Sequence, residues 1–550
     1  MSERDQKEVT YILSKKKQAE DAMYERRAIM DELWMLYQNK QDWSNKKAWQ
    51  SKVFVPKIFM TVEQAAAVVK RAVLSTATLF SLKVRRGGKD EQQIELAKQA
   101  KAEVERRFKE FIDDTNFADS YGEMTKSSFV TGFGVPKVIW NQGLEFFNVD
   151  SKDIFVDPHF MPSQKRPPGY VIEQKTMPLA ELKAMAKSTN SAAGRQVFRM
   201  AEINKIKEDS QEDKEEWKRR ARRGLQPFNR VDRMVQIDEF WGDIIDPDND
   251  TVKRNQLIWV ANKSRIIRRQ DNPFSHGRNP YALTSPIVYP HRGVAGVSLV
   301  EHVVAMQYAL NNVTNLAIDN LNFSVNKIFE ANPTSLLNPK SLTQMYPGKI
   351  VFKHGQQDAI KEVRTTGVGQ DAFSVMGLLD QGIQKGTGVT DFLTGNTSKS
   401  GTTATETKIK TAQAQGMFDV IARNLEANSI RPLMEMSFAL WEQFNPDLPE
   451  GVSGAYDFNV GGLSLLLQEQ EQSQNLQTII QFALSSPDIS QMTDTTAAWK
   501  KFLELKDQGD LFAEQTQEPG LQDKQGIEEA AAAQAKSIVD GMSEEEILNS

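Results

Sequence analysis

Thr390-Asp-Phe-Leu-Thr-Gly-Asn-Thr-Ser-Lys-Ser-Gly-Thr-Thr-Ala-Thr-Glu406 is a loop of small and polar residues between two helical patterns, and the segment around it, 292–445, organises the chain. Upstream, apolar residues recur at Leu299, Val303, Met306, Leu310, Val313, Leu316, Ala317 and Leu321. Their intervals of three and four predict one helix from about Val297 to Phe329 with a single apolar stripe. At about 1.5 Å per residue it would reach roughly 50 Å. Asn311, Asn312, Asn315, Asn320 and Asn322, with Glu301, His302 and Asp319, interrupt the remaining faces. Burying these groups in lipid is costly, so a membrane span is rejected. A shorter helix spans about 371–385, with Phe373, Met376, Leu379 and Ile383 on one face. Downstream, Thr403 and Glu406 have the spacing of a capping box. The helix they start carries Ile409, Met417, Val420, Ile421 and Leu425 to Arg431-Pro432, where the missing proline N–H predicts a kink or restart. The pattern resumes through Leu433, Met436 and Leu440.

A chain of 550 residues has room for two to four cores. Cysteine is absent, which excludes disulfides, thiolate metal sites and cysteine nucleophiles. Met1-Ser-Glu-Arg-Asp-Gln-Lys holds no apolar signal core. The net charge of −5 lacks the basic excess of a protein that grips a nucleic-acid backbone, yet a conduit along which DNA slides is better without many phosphate clamps.

Taken in order, residues 6–40 read as a helix or helix pair, and Trp34, Trp43 and Trp49 as packed core aromatics. A helix follows Pro56, with Val62, Ala65, Ala66, Val69 and Val73 inward, and another stretch occupies 91–130. Val135-Pro-Lys-Val-Ile-Trp140, the turn Asn141-Gln-Gly143 and Leu144-Glu-Phe-Phe-Asn-Val149 predict a β-hairpin. Strand patterns continue at 170–175, 234–241, 257–261 and 266–267. The charged block 186–230 reads as an insertion of exposed helices or loop. Residues 333–368 suggest a small β-containing lobe, 463–508 return to helix, and 511–550 read as a loose tail. The fold class is α+β, predominantly α.

No chemistry-bearing constellation stands out. Asp246, Asp248 and Asp250 begin like a calcium loop, but Thr251 and Leu257 stand where its glycine and bidentate glutamate belong. The histidines at 159, 276, 291, 302 and 354 show no metal-binding helical spacing. Gly386-Thr-Gly-Val-Thr-Asp391 lacks the third glycine of a dinucleotide loop, and no phosphate cradle occurs. The chain therefore reads as no enzyme, with no cofactor and no metal. Lys218, Arg219, Arg220, Arg222 and Arg223 form the strongest basic run. It could meet DNA or an anionic partner, but the acidic block Glu208–Glu216 precedes it, and a solvated face is the favoured reading.

Gly293-Val-Ala-Gly-Val-Ser298, the helix with Gln307 and Asn311-Asn312, Gly386-Thr-Gly-Val-Thr-Asp-Phe-Leu-Thr-Gly395, Thr403-Ala-Thr-Glu-Thr407 and Ile430-Arg-Pro-Leu433 form an ordered set. With Phe147-Asn-Val-Asp-Ser-Lys-Asp-Ile-Phe-Val-Asp-Pro158, this set resembles the portal (head-to-tail connector) proteins of tailed bacteriophages, weakly favouring a short-tailed type. The resemblance implies a homo-oligomeric ring, typically a dodecamer, at one capsid vertex of the virion, assembled in the host cytoplasm. It implies a wing over 1–292, stem helices at 293–330 and 371–388, and a clip at 331–370. A tunnel loop at 389–403, a helix 404–445 returning to the wing, crown helices at 446–510 and a flexible tail at 511–550 complete it. Asn396, Thr397, Ser398, Lys399 and Ser400 would then face the DNA tunnel, whereas without the resemblance the residues favour an ordinary flexible connector. The implied partners are double-stranded DNA in transit, a terminase motor, the major capsid protein, a scaffolding protein and a tail adaptor or head-completion protein, without membrane insertion. The alternative is another virion assembly protein, an internal scaffold or tail adaptor, lacking a channel.

Overall fold

The computed structural model describes residues 2–74, 80–85, 91–141, 143–161, 167–194, 196–206, 233–245, 251–289, 293, 295–325, 328–331, 360–363, 370–389, 420–445 and 454–459. All belong to the first of two compact units, Met1–Leu466; the second, Leu467–Ser550, lies outside the described residues. The expected lobe core, tunnel loop, Thr403/Glu406 cap, crown beyond residue 459, tail, Asp246–Asp250 turn and basic run also lie outside them.

Helix α1 (Glu3–Ala22) opens with a capping box between Ser2 and Asp5, and α2 (Tyr24–Tyr37) follows directly. The first 40 residues are thus the expected helix pair. α1 lies on a five-stranded antiparallel meander of β4 (Ile154–Val156), β5 (Tyr170–Pro178), β6 (Met234–Ile245), β7 (Val252–Ala261) and β8 (Arg265–Asp271). Strand alternation divides the side chains. Ile172, Phe240, Ile258 and Val260 turn to α1 with its Val9 and Ile12. Val171, Ile237, Trp241, Leu257 and Trp259 turn to the other face, which is covered in part by Leu182, Ala186, Phe198 and Ile203. Those last residues belong to and around α6 (Leu179–Ala193) and α7 (Met200–Ile203). The first part of the supposed insertion is therefore core. Its apolar residues were diluted by lysines and serines in sequence, but sheet burial selects the few that face inward.

Neighbouring acids on β6 must point to opposite faces. Asp238 meets Lys16 of α1 at 2.5 Å. Glu239, on the other side, accepts from Lys137 at 3.2 Å, from Lys175 and from Trp241 Nε1 at 2.7 Å. Lys137 also reaches Glu173 at 2.5 Å, and Tyr281 donates to Glu173 at 2.6 Å. Lys137 belongs to β2 (Pro136–Trp140), which pairs with β3 (Leu144–Asn148) in the expected hairpin. Burial alone would lower the Lys137 ammonium, yet Glu173 and Glu239 hold it above its ordinary value. Burial would raise Glu239, but its two lysines pull it far below the carboxylate range. This perturbed cluster has the composition of a catalytic site, but its charges are spent on one another and fasten the hairpin to the sheet.

A third core joins the remaining helices, α3 (Lys57–Leu74), α4 (Glu91–Asp113) and α5 (Phe117–Thr131), to the hairpin. Phe108 sits at its centre, with the rings of Phe80, Phe438, Trp441 and Phe458 at 5.1–6.1 Å. Here β1 (Ser81–Val84) pairs antiparallel with β11 (Tyr456–Asn459), a strand in the stretch 446–510 expected to hold crown helices. The tryptophans do not form one cluster. Trp34 packs on Tyr37 at 5.5 Å, Trp43 lies under Lys46, and Trp49 is exposed against Phe323 at 5.3 Å.

The long helix is shorter than its periodicity. A 3₁₀ turn, Glu301–Val303, leads into α8 (Val304–Val325), about 33 Å long, and Ile328–Ala331 is a strand, β9. Residues 297–299 cannot be helical because Val297 bridges Ile287 and the Leu299 amide bonds Phe129 O. β9 pairs with β10 (Ile360–Val363), and α9 (Gln370–Thr387) returns along α8. After residues 420–425, a π turn, Glu426–Ile430, precedes α10 (Arg431–Phe444), whose first turn holds Pro432. The widened turn answers the proline's missing N–H, as the sequence required.

The segment 272–279 docks on α10: the Ser275 amide donates to Gln443 at 2.8 Å and Arg278 meets Glu435 at 3.1 Å. Within it His276 stacks on Phe274, and burial, with the Arg278 charge, pushes its imidazole down to about 4 from 6.5. Between those values the unfolded chain takes up a proton that the folded chain refuses, so stability is complete above about 6.5 and is lost as pH falls towards about 4. His276→Gln should flatten that loss, measured as the difference between urea unfolding free energies at pH about 7 and about 5.

Candidate functional site

The α8–α9 pair is built from an inverted amphipathic pattern. Gln307, Asn311, Asn315 and Asp319, at intervals of four, form its buried stripe, and Asp319 is the only formally charged residue of α8. They face residues 51–56, an extended strap that ends the α2–α3 connection and pairs with no strand among the described residues, and Ile58 at the start of α3. Buried backbone groups require partners, and the side chains of α8 supply them. The amides of Ser51, Val53 and Val55 donate to Asp319, Asn315 and Asn311 at 2.7, 2.7 and 3.0 Å. Asn315 Nδ2 returns a bond to Val53 O at 2.8 Å, and Gln307 Nε2 one to Val55 O at 2.7 Å. Gln307 Oε1 accepts from the Ile58 amide at 3.2 Å, satisfying a free donor in the first turn of α3. Four helical residues rise about 6.0 Å and two extended residues about 6.6 Å, so the two repeats stay in step over the rungs at Ser51, Val53 and Val55, and Gln307 adds a fourth contact in the first turn of α3.

With the polar stripe inside, part of the apolar set is outside. Val303 and Leu310 are buried as expected, but Leu316 is 64% exposed and Val325 71%, with Leu321 and Phe323 also exposed. On α9, Ile383 is buried and Met376 and Leu379 are half-buried against the third core, whereas Phe373 is 62% and Leu378 67% exposed. Met306 lies over Gly382 and Val303 over Gly386, where a Cβ would come within 2.9 and 2.7 Å of them. Lys57 pairs with Asp380 at 2.6 Å, tying α3 to α9.

The root of the pair is clamped by Arg26 of α2, which donates to Glu301 at 2.6 Å and to Thr131 O at 2.7 Å. Gly132 ends α5 in the left-handed region at φ 77°, and a Cβ there would meet Arg26 and the Ser298 amide within 2.7 Å. Glu301 also accepts from the Ser298 amide at 3.2 Å. In the observed register the body thus sets where α8 begins.

Among the described residues no group of three or more His, Asp or Glu side chains can hold a metal, and no helix is long and apolar enough to cross a membrane. His302 is exposed beside Tyr289. Asn396–Ser400 and Lys218–Arg223 lie outside the described residues.

This arrangement, a body presenting two helices joined through a β9–β10 strand pair, lies largely inside one family match. The model described as phage SU10 portal protein matches residues 140–448, more than half of the chain. The chain belongs to that portal family. No curated protein matches it. The match takes in both helices of this portal protein, the hairpin's second strand, the whole meander and α10, whereas the strap lies before it.

The four-rung ladder was missed in the sequence because its asparagines were counted as interruptions of an apolar helix. The signal that finds it is the uninterrupted spacing of 307, 311, 315 and 319. Asn315→Leu should leave both polar groups of Val53 unpaired and cost about 2 kcal/mol in urea unfolding, while Leu316→Ala, one residue away and exposed, should change stability by less than about 0.5 kcal/mol.

Proposed function

We propose that this chain assembles into a ring at the unique capsid vertex and forms the channel through which viral double-stranded DNA is packaged, retained and ejected. One observation carries the reading: the α8–α9 pair leaves Leu316, Phe373 and Leu378 more than 60% exposed. Such surface is stabilised when equivalent helices of neighbouring copies cover it, and a closed ring covers it on every copy. Sparse charge on the pair supports transit. α8 has one carboxylate, bonded to the strap, and α9 has Asp371, Asp380 and Lys385, with Asp380 neutralised by Lys57. DNA sliding past such helices meets few attractions that must be broken at each step.

In this reading 1–292 forms the wing, 293–330 and 371–388 the stem, 331–370 the clip that meets tail or packaging components, and 389–403 the tunnel loop bearing Asn396–Ser400. Residues 404–445 return to the wing, 446–510 build the crown and 511–550 a tail. The chain is a passive conduit, and ATP hydrolysis belongs to a docked terminase motor. Capsid, scaffolding and head-completion proteins are its other partners, and its place is the virion after assembly in the host cytoplasm.

Negative-stain electron microscopy with mass measurement on full-length protein should show rings, twelve-fold in the simplest case, with a hole wide enough for duplex DNA. Leu316→Glu combined with Leu378→Glu should abolish the rings while the far-UV circular dichroism stays unchanged. Particles without a hole, or rings that persist undiminished in the double variant, would overturn the reading.

A further inference from the structure

The ladder on α8 reads backbone, not side chains, and repeats at every turn. A repeating reader has more than one register. If α8 advances one turn towards its C-terminal end, Asn315 comes opposite Ser51, Asn311 opposite Val53 and Gln307 opposite Val55. Each of these carboxamides can accept from the amide it meets, and Asn311 can return a bond to Val53 O as Asn315 does now. Asp319 moves off the strap to the level now held by Phe323, beside the exposed Trp49 ring. The opposite slide is disfavoured, because it would set Asp319 against Val53, and a carboxylate has no donor for the Val53 carbonyl.

Three neighbouring features fit the forward slide. The 3₁₀ turn Glu301–Val303 stands between α8 and the fixed Ser298–Leu299 backbone. Drawing out its three residues from about 2.0 to about 3.3 Å each releases about 4 Å, most of one turn. On α9, Gly382 and Gly386 leave no side-chain ridge under Met306 and Val303. The Arg26–Glu301 pair and the Gln307 bond to Ile58 favour the rearward position and are surrendered in the forward one. We propose that Gln307, Asn311, Asn315 and Asp319 form a two-register clamp on the strap, letting α8 occupy a rearward and a forward position one turn apart. The device is a property of the single chain and does not depend on ring formation.

The absence of cysteine makes spin labelling selective. Lys52, Asn312 and Leu316 are exposed, and the last two lie one turn apart on the same face. Full-length K52C/L316C and K52C/N312C, each carrying two nitroxides and diluted into an excess of unlabelled chain, would be measured by pulsed electron–electron double resonance. Two populations are expected, differing by up to about 5 Å. The minor one should be longer for K52C/L316C and shorter for K52C/N312C, because Asn312 arrives where Leu316 was. Adding Asp319→Asn supplies the missing donor for the opposite slide and should add a population that is longer in both pairs, because Lys52 then stands level with residue 321. In the pairs without Asp319→Asn, a single population in both overturns the proposal, and so does a minor population that lengthens in both, which marks fraying of the strap.

Discussion

An extended segment without a strand partner has to find hydrogen bonds elsewhere, and the solution at residues 51–56 shapes the whole α8 region. The strap's amides and carbonyls are met by carboxamides one helical turn apart, so α8 must turn its polar stripe inward. Everything outward on that helix follows. Leu316, Leu321 and Phe323 are exposed because the buried side is already occupied by groups with obligatory partners. The apolar surface that α8 leaves open is thus set by a requirement of the chain's own backbone.

The body supplies a rigid mount for that pair by pinning one strand from both sides. Asp238 and Glu239 of β6 bury carboxylates in opposite directions, and each is matched by a lysine from a different layer, Lys16 from α1 and Lys137 from the hairpin. Removing one partner of such a pair leaves an uncompensated buried charge, which is far worse than never having had the pair. The layers therefore hold one relative position. Arg26, on the helix after Lys16, carries that position on to Thr131 and Glu301 at the start of α8.

Much of this was legible in the residues. The hairpin at 135–149, the helix pair before residue 40, the long and short helices around the lobe and the break at Pro432 follow from local periodicity and proline chemistry, and the structure has them. What was not legible depends on distant partners. The helix boundary at Glu301 is imposed by Phe129 and Ile287, and the burial of Phe198 and Ile203 by a sheet formed partly 60 residues later. The pairing of β1 with β11 joins residues more than 370 apart, beyond any local pattern. The polar ladder is the instructive case: its spacing was plain, but a stripe of amides reads as an exposed face until the strap it serves is known.

A surface that recognises only main chain places almost no demand on side-chain identity. Across Ser51, Lys52, Val53, Phe54 and Val55 the amides of the first, third and fifth residues are engaged, and those of Lys52 and Phe54 are not among the rungs. In evolutionary terms the exposed Lys52 and Val53 are free to drift in hydrophobicity, charge and size, whereas Phe54 and Val55 pack on the third core, and the residue the strap must refuse at the engaged positions is proline, which has no N–H to give. Related chains should therefore diverge in this stretch while holding the spacing of four on the helix beneath it. Sequence comparison would score the strap as variable and dispensable, although it holds the helix in place.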